Sequence, residues 1–221
     1  MKHFLLPICT LAVALVGAGS AMATPVTQAG LTVISGGLTF SNFTCAFSGQ
    51  GTFTGACDSI SVTALTPQPA GIQFSSDMAV IGGPSGADAA LTFNVNSTTG
   101  INAVGLSFNS TFLGLDVNSV TEDVYSAQGG SLVGTATVSC GAISGCSSTT
   151  TDDIALSGMY NSLYITKDIS LIAGSGGYGS TSIVQQTFTG AVAATPEPIS
   201  LSLMGAGLAF IGLARARKSK V

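Results

Sequence analysis

The chain reads as all-β: an antiparallel β-sandwich of jelly-roll or immunoglobulin-like kind, with a signal peptide before it and an apolar helix after it. Three observations predict this. First, apolar residues alternate with polar ones. In "ALTFNVN", Leu91, Phe93 and Val95 share one face while Thr92, Asn94 and Asn96 share the other, the period of a half-buried antiparallel strand. Second, turn signals ("SGQG", "GGPSG", "QGG", "GSGG") punctuate these runs, and many short strands so spaced predict a sandwich. Third, no segment of the body sustains a 3.6-residue period. With 46% hydrophobic and 7% charged residues, this is not the charged, apolar-poor composition of a disordered chain.

The elements follow in order. Residues 1–23 read as a secretory signal peptide, with Lys2 and His3 as the positive start and an apolar stretch from Phe4 to Val16. Ala21 and Ala23 form the small-x-small box that places the cut before Thr24. An uncleaved anchor is the rival, opposed by the shortness of the apolar core. Residues 24–190 form the sandwich. "GLTFSNF" and "SISVTAL" repeat the alternation, and "LYITKDISLI" keeps Leu163, Ile165, Ile169 and Leu171 in one phase. Residues 191–195 are a linker. Ile199 to Ala214 is an uncharged run of 16 residues, about 24 Å as a helix at ~1.5 Å per residue, against a bilayer core of about 30 Å.

The charge distribution excludes whole classes of function. Between Thr24 and Thr195 one basic residue, Lys167, stands against nine acids, a net charge of −8. A nucleic-acid partner needs clustered Lys and Arg to displace counterions. The sole histidine is His3, so removal of the N-terminus leaves no imidazole for a Ser-His-Asp or Cys-His nucleophile or a His-ligated metal. No cofactor signature is present.

Four cysteines follow the signal peptide: Cys45, Cys57, Cys140 and Cys146. An even count in an exported chain predicts disulfides, with three connectivities open. The local pairing, Cys45–Cys57 and Cys140–Cys146, is expected. "CAFSGQGTFTGAC" reads as a hairpin about Gln50-Gly51 that sets its two cysteines opposite each other. Zinc is the rival, opposed by the lack of Cys-x-x-Cys pairs.

Oxygen ligands cluster in "DVNSVTED", where Asp116, Asn118, Glu122 and Asp123 are calcium candidates without the central Gly and closing Glu of an EF-hand loop. Asp152-Asp153 is a second acidic pair, and a solvated acidic loop is the plainer reading of both. Paired carboxylates can hydrolyse glycans without histidine. Asp58, Asp77, Asp88, Asp116 and Asp168 qualify, and nothing in the sequence selects two of them. Sequons at Asn42, Asn96 and Asn109 read as idle. Lys167 shares the phase of Ile165 and Ile169, which points it inward or to a bulge, although a surface lysine with its stem on apolar neighbours is the plainer expectation. Strand alternation sends Asp168 to the opposite face from Lys167.

The C-terminus carries the sharpest motif. Pro196-Glu197-Pro198 precedes the apolar run, and Arg215, Arg217, Lys218 and Lys220 follow it, forming a basic tail over 215–220. This layout over residues 196–221 resembles the PEP-CTERM sorting signal of Gram-negative bacteria. "YITKDISL" followed by "IVQQTF" is similar, more loosely, to the closing strands of PEP-CTERM surface proteins. The resemblance implies an exosortase as the processing partner, transient inner-membrane anchoring through the apolar helix, and a basic cluster held in the cytoplasm. It further implies a structural or adhesive role, without enzymatic activity, in an exopolysaccharide or biofilm layer. A carbohydrate- or calcium-binding module is the alternative, and a carboxylate-based glycan hydrolase the third reading.

Overall fold

A computed structural model of the protein describes residues 23–65, 69–141 and 150–190. The expected cleavage box at Ala21, the linker, the Pro-Glu-Pro motif, the apolar helix and basic tail, and Cys146 lie outside the described residues. Among the described residues no helix is long and apolar enough to cross a membrane.

Among the described residues nine strands follow one another: β1 (Thr24–Pro25), β2 (Val33–Ser35), β3 (Leu38–Thr54), β4 (Ser61–Leu65), β5 (Gly71–Leu113), β6 (Val117–Tyr125), β7 (Leu132–Gly141), β8 (Thr150–Ala173) and β9 (Tyr178–Thr189). Every pairing is antiparallel. The all-β expectation therefore holds, with a feature the alternation did not reveal. β3, β5 and β8 are too long for one layer and pass through two.

Register shows how they do so. Residues 71–81 and 103–113 of β5 both run antiparallel to β9, so they run parallel to each other. The stretch between them must run the other way, in a second layer. There, residues 86–97 of β5 lie between β3 and residues 162–173 of β8, followed by β6 and β7. These five strands make up the body of what is termed the five-stranded layer, and the three residues of β2 pair along the outer edge of β3. The facing layer orders β1, β4, β5 (71–81), β9, β5 (103–113) and β8 (150–155). Strands that change layer at bulges make the corners of a sandwich. One corner sits at Gly51 and Gly82, where φ of +72° and +65° is open to glycine at little cost. The chain turns over there in both β3 and β5.

Phenylalanines lock the layers. Phe74 of one layer lies 5.7 Å, ring centre to ring centre, from Phe93 of the other, and Phe188 lies 5.5 Å from Phe40. Phe43 stacks on Phe93 at 5.5 Å. These separations suit tilted and offset ring packing, and the alternate residues Leu91, Phe93 and Val95 are fully enclosed.

The expected hairpin about Gln50-Gly51 takes a different form. Residues 38–50 and 52–54 of β3 each bond to β5 rather than to one another. The fold-over still brings Phe47 to within 6.0 Å of Phe53. It also sets Cys45 opposite Cys57, whose disulfide spans 5.8 Å between Cα atoms. Cys140 is disulfide-bonded as well, while its expected partner Cys146 lies outside the described residues.

Candidate functional site

Two polar constellations lie on opposite faces of the five-stranded layer. The inner one is a buried triad. Glu122 of β6 and Lys167 of β8 are direct cross-strand partners, and both point into the core, as strand alternation requires of Lys167 in phase with Ile165 and Ile169. The surface position expected for Lys167 is thereby corrected: it is 1% exposed. Lys167 Nζ donates to Glu122 Oε2 at 2.5 Å and to Gln186 Oε1 at 2.7 Å. Gln186, from β9 in the facing layer, donates through Nε2 to Glu122 Oε1 at 2.6 Å. One carboxylate thus touches the amine with one oxygen and the carboxamide nitrogen with the other.

Burial pushes the Glu122 carboxyl up and the Lys167 amine down, and the opposite charge beside each pulls it partly back. Taking a charge from water into a core destabilises the charged form, and only close pairing compensates. The sequence reading missed Gln186. Its signal was available: in "IVQQTF" it lies in phase with Val184 and Phe188, both buried.

The calcium candidates do not converge. Asp116, Asn118 and Glu122 face inward while Asp123 faces outward, accepting from Thr135 Oγ1 at 2.7 Å. Glu122 is committed to Lys167. Asp116 Oδ1 accepts from the Gly174 backbone at 2.8 Å, and Asn118 Nδ2 donates to Ser110 Oγ at 2.6 Å and to the Thr111 carbonyl at 2.9 Å. Asp116 Oδ2 and Asn118 Oδ1 are buried without a hydrogen-bond partner. Both side chains pack against glycine: a Cβ at Gly177 would overlap the Asp116 carboxylate, and one at Gly179 would lie 2.5 Å from Asn118 Oδ1. Among the described residues no group of three or more His, Cys, Asp or Glu side chains is placed to hold a metal ion.

The outer face of the same layer carries rows of polar side chains, with exposed Val117 and Ile172 at one end. Register sets Thr44, Thr92, Thr166, Asp123 and Thr135 in one row across five strands, at the ~4.8 Å strand spacing. The next row includes Asp168 and Thr121, and the one after it Asp88, Ser170 and Ser119. Asp88 and Asp168 lie on a diagonal and share a hydrogen bond. Partial burial, that hydrogen bond and the like charge of Asp88 push Asp168 up to about 6. Beyond the threonine row, Tyr125 and Tyr164 are cross-strand partners with ring centres 6.3 Å apart. A shallow depression of about 310 Å³ bordered by Thr92, Thr121, Asp123, Thr166 and Asp168 lies on this face. A second, of about 240 Å³, borders Asp88, Gln50 and Ser170.

The remaining acids lie elsewhere. Asp58 accepts from Thr27 Oγ1 at 2.7 Å. Asp152 accepts from the Thr137 backbone at 2.7 Å, which occupies a donor on the β7 edge and blunts it toward strand addition. Asp77 uses its backbone carbonyl, not its carboxylate, to bind Thr54 Oγ1. Of the five carboxylates weighed for hydrolysis, Asp88 and Asp168 lie in adjacent rows of the outer face.

The fold and site define an antiparallel β-sandwich with an ionic core triad and one broad polar face. No family model and no curated protein matches the chain. Solved structures overlap it loosely. The carbohydrate-binding module TmCBM61, solved with β-1,4-galactotriose, is 12% identical with a TM-score of 0.34, covering 65% of this chain and 88% of its own. CsCBM6-3 from Clostridium stercorarium, solved with cellobiose, is 16% identical with a TM-score of 0.25, covering 65% and 87%. Tailspike protein 4 of bacteriophage CBA120 is 13% identical with a TM-score of 0.33, covering 67% of this chain and 19% of its own. Similarity this loose carries no inference about ligand or activity.

Proposed function

We propose that this protein is an exported, non-enzymatic β-sandwich of the bacterial surface or extracellular matrix that holds polysaccharide on the outer face of its five-stranded layer. The observation that carries the reading is the Tyr125–Tyr164 pair bordering rows of threonine and aspartate. A sugar ring offers C–H groups on its face and hydroxyls around its rim. A tyrosine ring beside fixed hydroxyls and carboxylates meets both, and a few placed polar groups with an aromatic wall make an orienting site. The jelly-roll or immunoglobulin-like kinship of the sandwich belongs to the same proposal.

Asp88 and Asp168 argue for binding rather than hydrolysis. The like charge of Asp88 acts on Asp168, and the sole histidine of the chain is His3, so in this reading these carboxyls hydrogen-bond sugar hydroxyls. Calcium binding is less favoured, since the oxygen candidates split between two faces.

Export rests on the two ends of the sequence. In this reading an exosortase reads Pro196-Glu197-Pro198 while residues 199–214 stall in the inner membrane. The basic residues Arg215, Arg217, Lys218 and Lys220 stay in the cytoplasm. Mass spectrometry of surface-exposed protein checks this: the chain is expected to end near Pro196, and recovery of "ARARKSKV" peptides from that fraction would overturn it.

Affinity electrophoresis in gels cast with neutral, acidic and amino-bearing polysaccharides tests the binding face. Retardation in at least one gel is expected, weakened about tenfold or more by Tyr164→Ala. Free migration of the wild-type protein in all of them defeats the reading.

A further inference from the structure

We propose that Lys167 and Gln186 become joined by an isopeptide bond that the folded core forms on itself, with Glu122 carrying the protons. The geometry is that of a stalled aminolysis. Lys167 Nζ lies 2.7 Å from Gln186 Oε1. The amide carbon is one C=O bond, about 1.23 Å, further on, so it lies within about 4 Å of the nucleophile. That approaches the separation of about 3–3.5 Å at which bound groups react as neighbours rather than as colliding molecules.

Glu122 is placed for both proton movements the reaction needs. Its Oε2 contacts the attacking nitrogen and its Oε1 contacts the nitrogen that must leave. A carboxylate bridging nucleophile and leaving group can accept a proton on one side and return one on the other. Burial supports the chemistry. A desolvated amine is neutral more of the time and a desolvated carboxyl is protonated more of the time, the forms that the first transfer produces. Both side chains are fully enclosed, so water does not compete for the amide carbon.

The step balances. Lys167 gives a proton to Glu122 and becomes a neutral amine. Its lone pair forms the Nζ–Cδ bond to Gln186, and the carbonyl π pair moves onto Oε1. Glu122 delivers its proton to Nε2 and collects the second from Nζ. The pair on Oε1 then re-forms the carbonyl, the Cδ–Nε2 bond breaks with its electrons leaving on nitrogen, and the ammonia takes the remaining proton from Glu122 to leave as ammonium. A lysine ammonium and a carboxamide become a secondary amide and ammonium, with Glu122 regenerated. No oxidant or further reactant is needed.

The bond would tie β8 in one layer to β9 in the other. The two groups are 19 residues apart and come from facing sheets, so the link would pin the sandwich across its core. This inference does not depend on any ligand of the outer face.

The test uses protein purified after export, denatured and fully reduced. Lys167 is the only Lys or Arg between Thr24 and Thr195, so a lysine-specific protease must cut the body there if the amine is free. The expected result is an uncut body whose intact mass is lower than its sequence by one ammonia, about 17 Da, with the Lys–Gln link located by fragmentation. Glu122→Gln and Gln186→Met are each expected to restore cutting at Lys167 and the full mass. Formation of the Cys45–Cys57 disulfide and a β-type circular dichroism spectrum show that each variant has folded. Wild-type protein that is cut at Lys167 overturns the proposal, whether its mass is full or short by an ammonia lost elsewhere. So does a folded Gln186→Met variant that still resists cutting.

Discussion

Lys167 and Asp168 are neighbours on one strand with opposite fates. Lys167 faces the core, 1% exposed, and meets Glu122 and Gln186. Asp168 faces outward and meets Asp88. On both faces a carboxyl is driven up from its ordinary value, but for different reasons. Inside, burial dominates and a cation opposes it. Outside, partial burial and a like charge act together. The difference shows that a strand's two-residue period sorts more than apolar from polar. It sets the electrostatic partner, the dielectric and therefore the chemistry available to each group.

The sharpest way to break this comparison is to remove the inner cation. Lys167→Met leaves Glu122 buried with Gln186 as its remaining donor. Stranding one member of a buried pair costs about 3–5 kcal/mol, and the loss of a cross-link would add to that. Urea denaturation should show it as a large drop in midpoint. The double variant Glu122→Leu/Lys167→Met removes the stranded charge and is expected to recover much of the loss, because apolar replacements of buried pairs are often neutral or better. A double variant no more stable than Lys167→Met would mean that the damage lies in packing and that the pair is not what Lys167 supplies.

How much of this could be read before the structure depends on whether the information is local. Strand faces are local: the alternation of Leu91, Phe93 and Val95 and the phase of Lys167 with Ile165 and Ile169 were legible. The Cys45–Cys57 link was legible too, because the chain folds over within the 12 residues that separate them. Partners across strands were not. Glu122 meets Lys167 over a separation of 45 residues, and only the register of β6 on β8 decides that. Gln186 comes from the facing layer, where no alternation pattern can point. The layer changes in β3, β5 and β8 were half visible. "SGQG" and "GGPSG" announced turns but not that both strands turn over together at one corner. The carboxylate pairing was likewise hidden. Asp88 and Asp168 are 80 positions apart, brought together by register alone.

The smallest expected effect lies on the outer face and has a definite sign. Asp168 is raised from the ordinary aspartate value of 3.8 to about 6 in the folded chain. A group whose folded value is raised binds its proton more tightly folded than unfolded. Its contribution to stability is therefore fully present below about pH 4 and is lost as pH rises through about 6. Asp168→Asn removes that dependence while keeping a donor toward Asp88. The variant should match wild type at pH 4 and exceed it modestly from pH 7 upward, the gap narrowing in high salt because the site is open to screening. Thermal melts at pH 4 and pH 8, each at low and high ionic strength, read this directly. Equal melting temperatures at pH 8 would show that the two carboxyls do not oppose each other in solution. An advantage at pH 4 that disappears at pH 8 would reverse the sign and place the strain of the outer face in its protonated form.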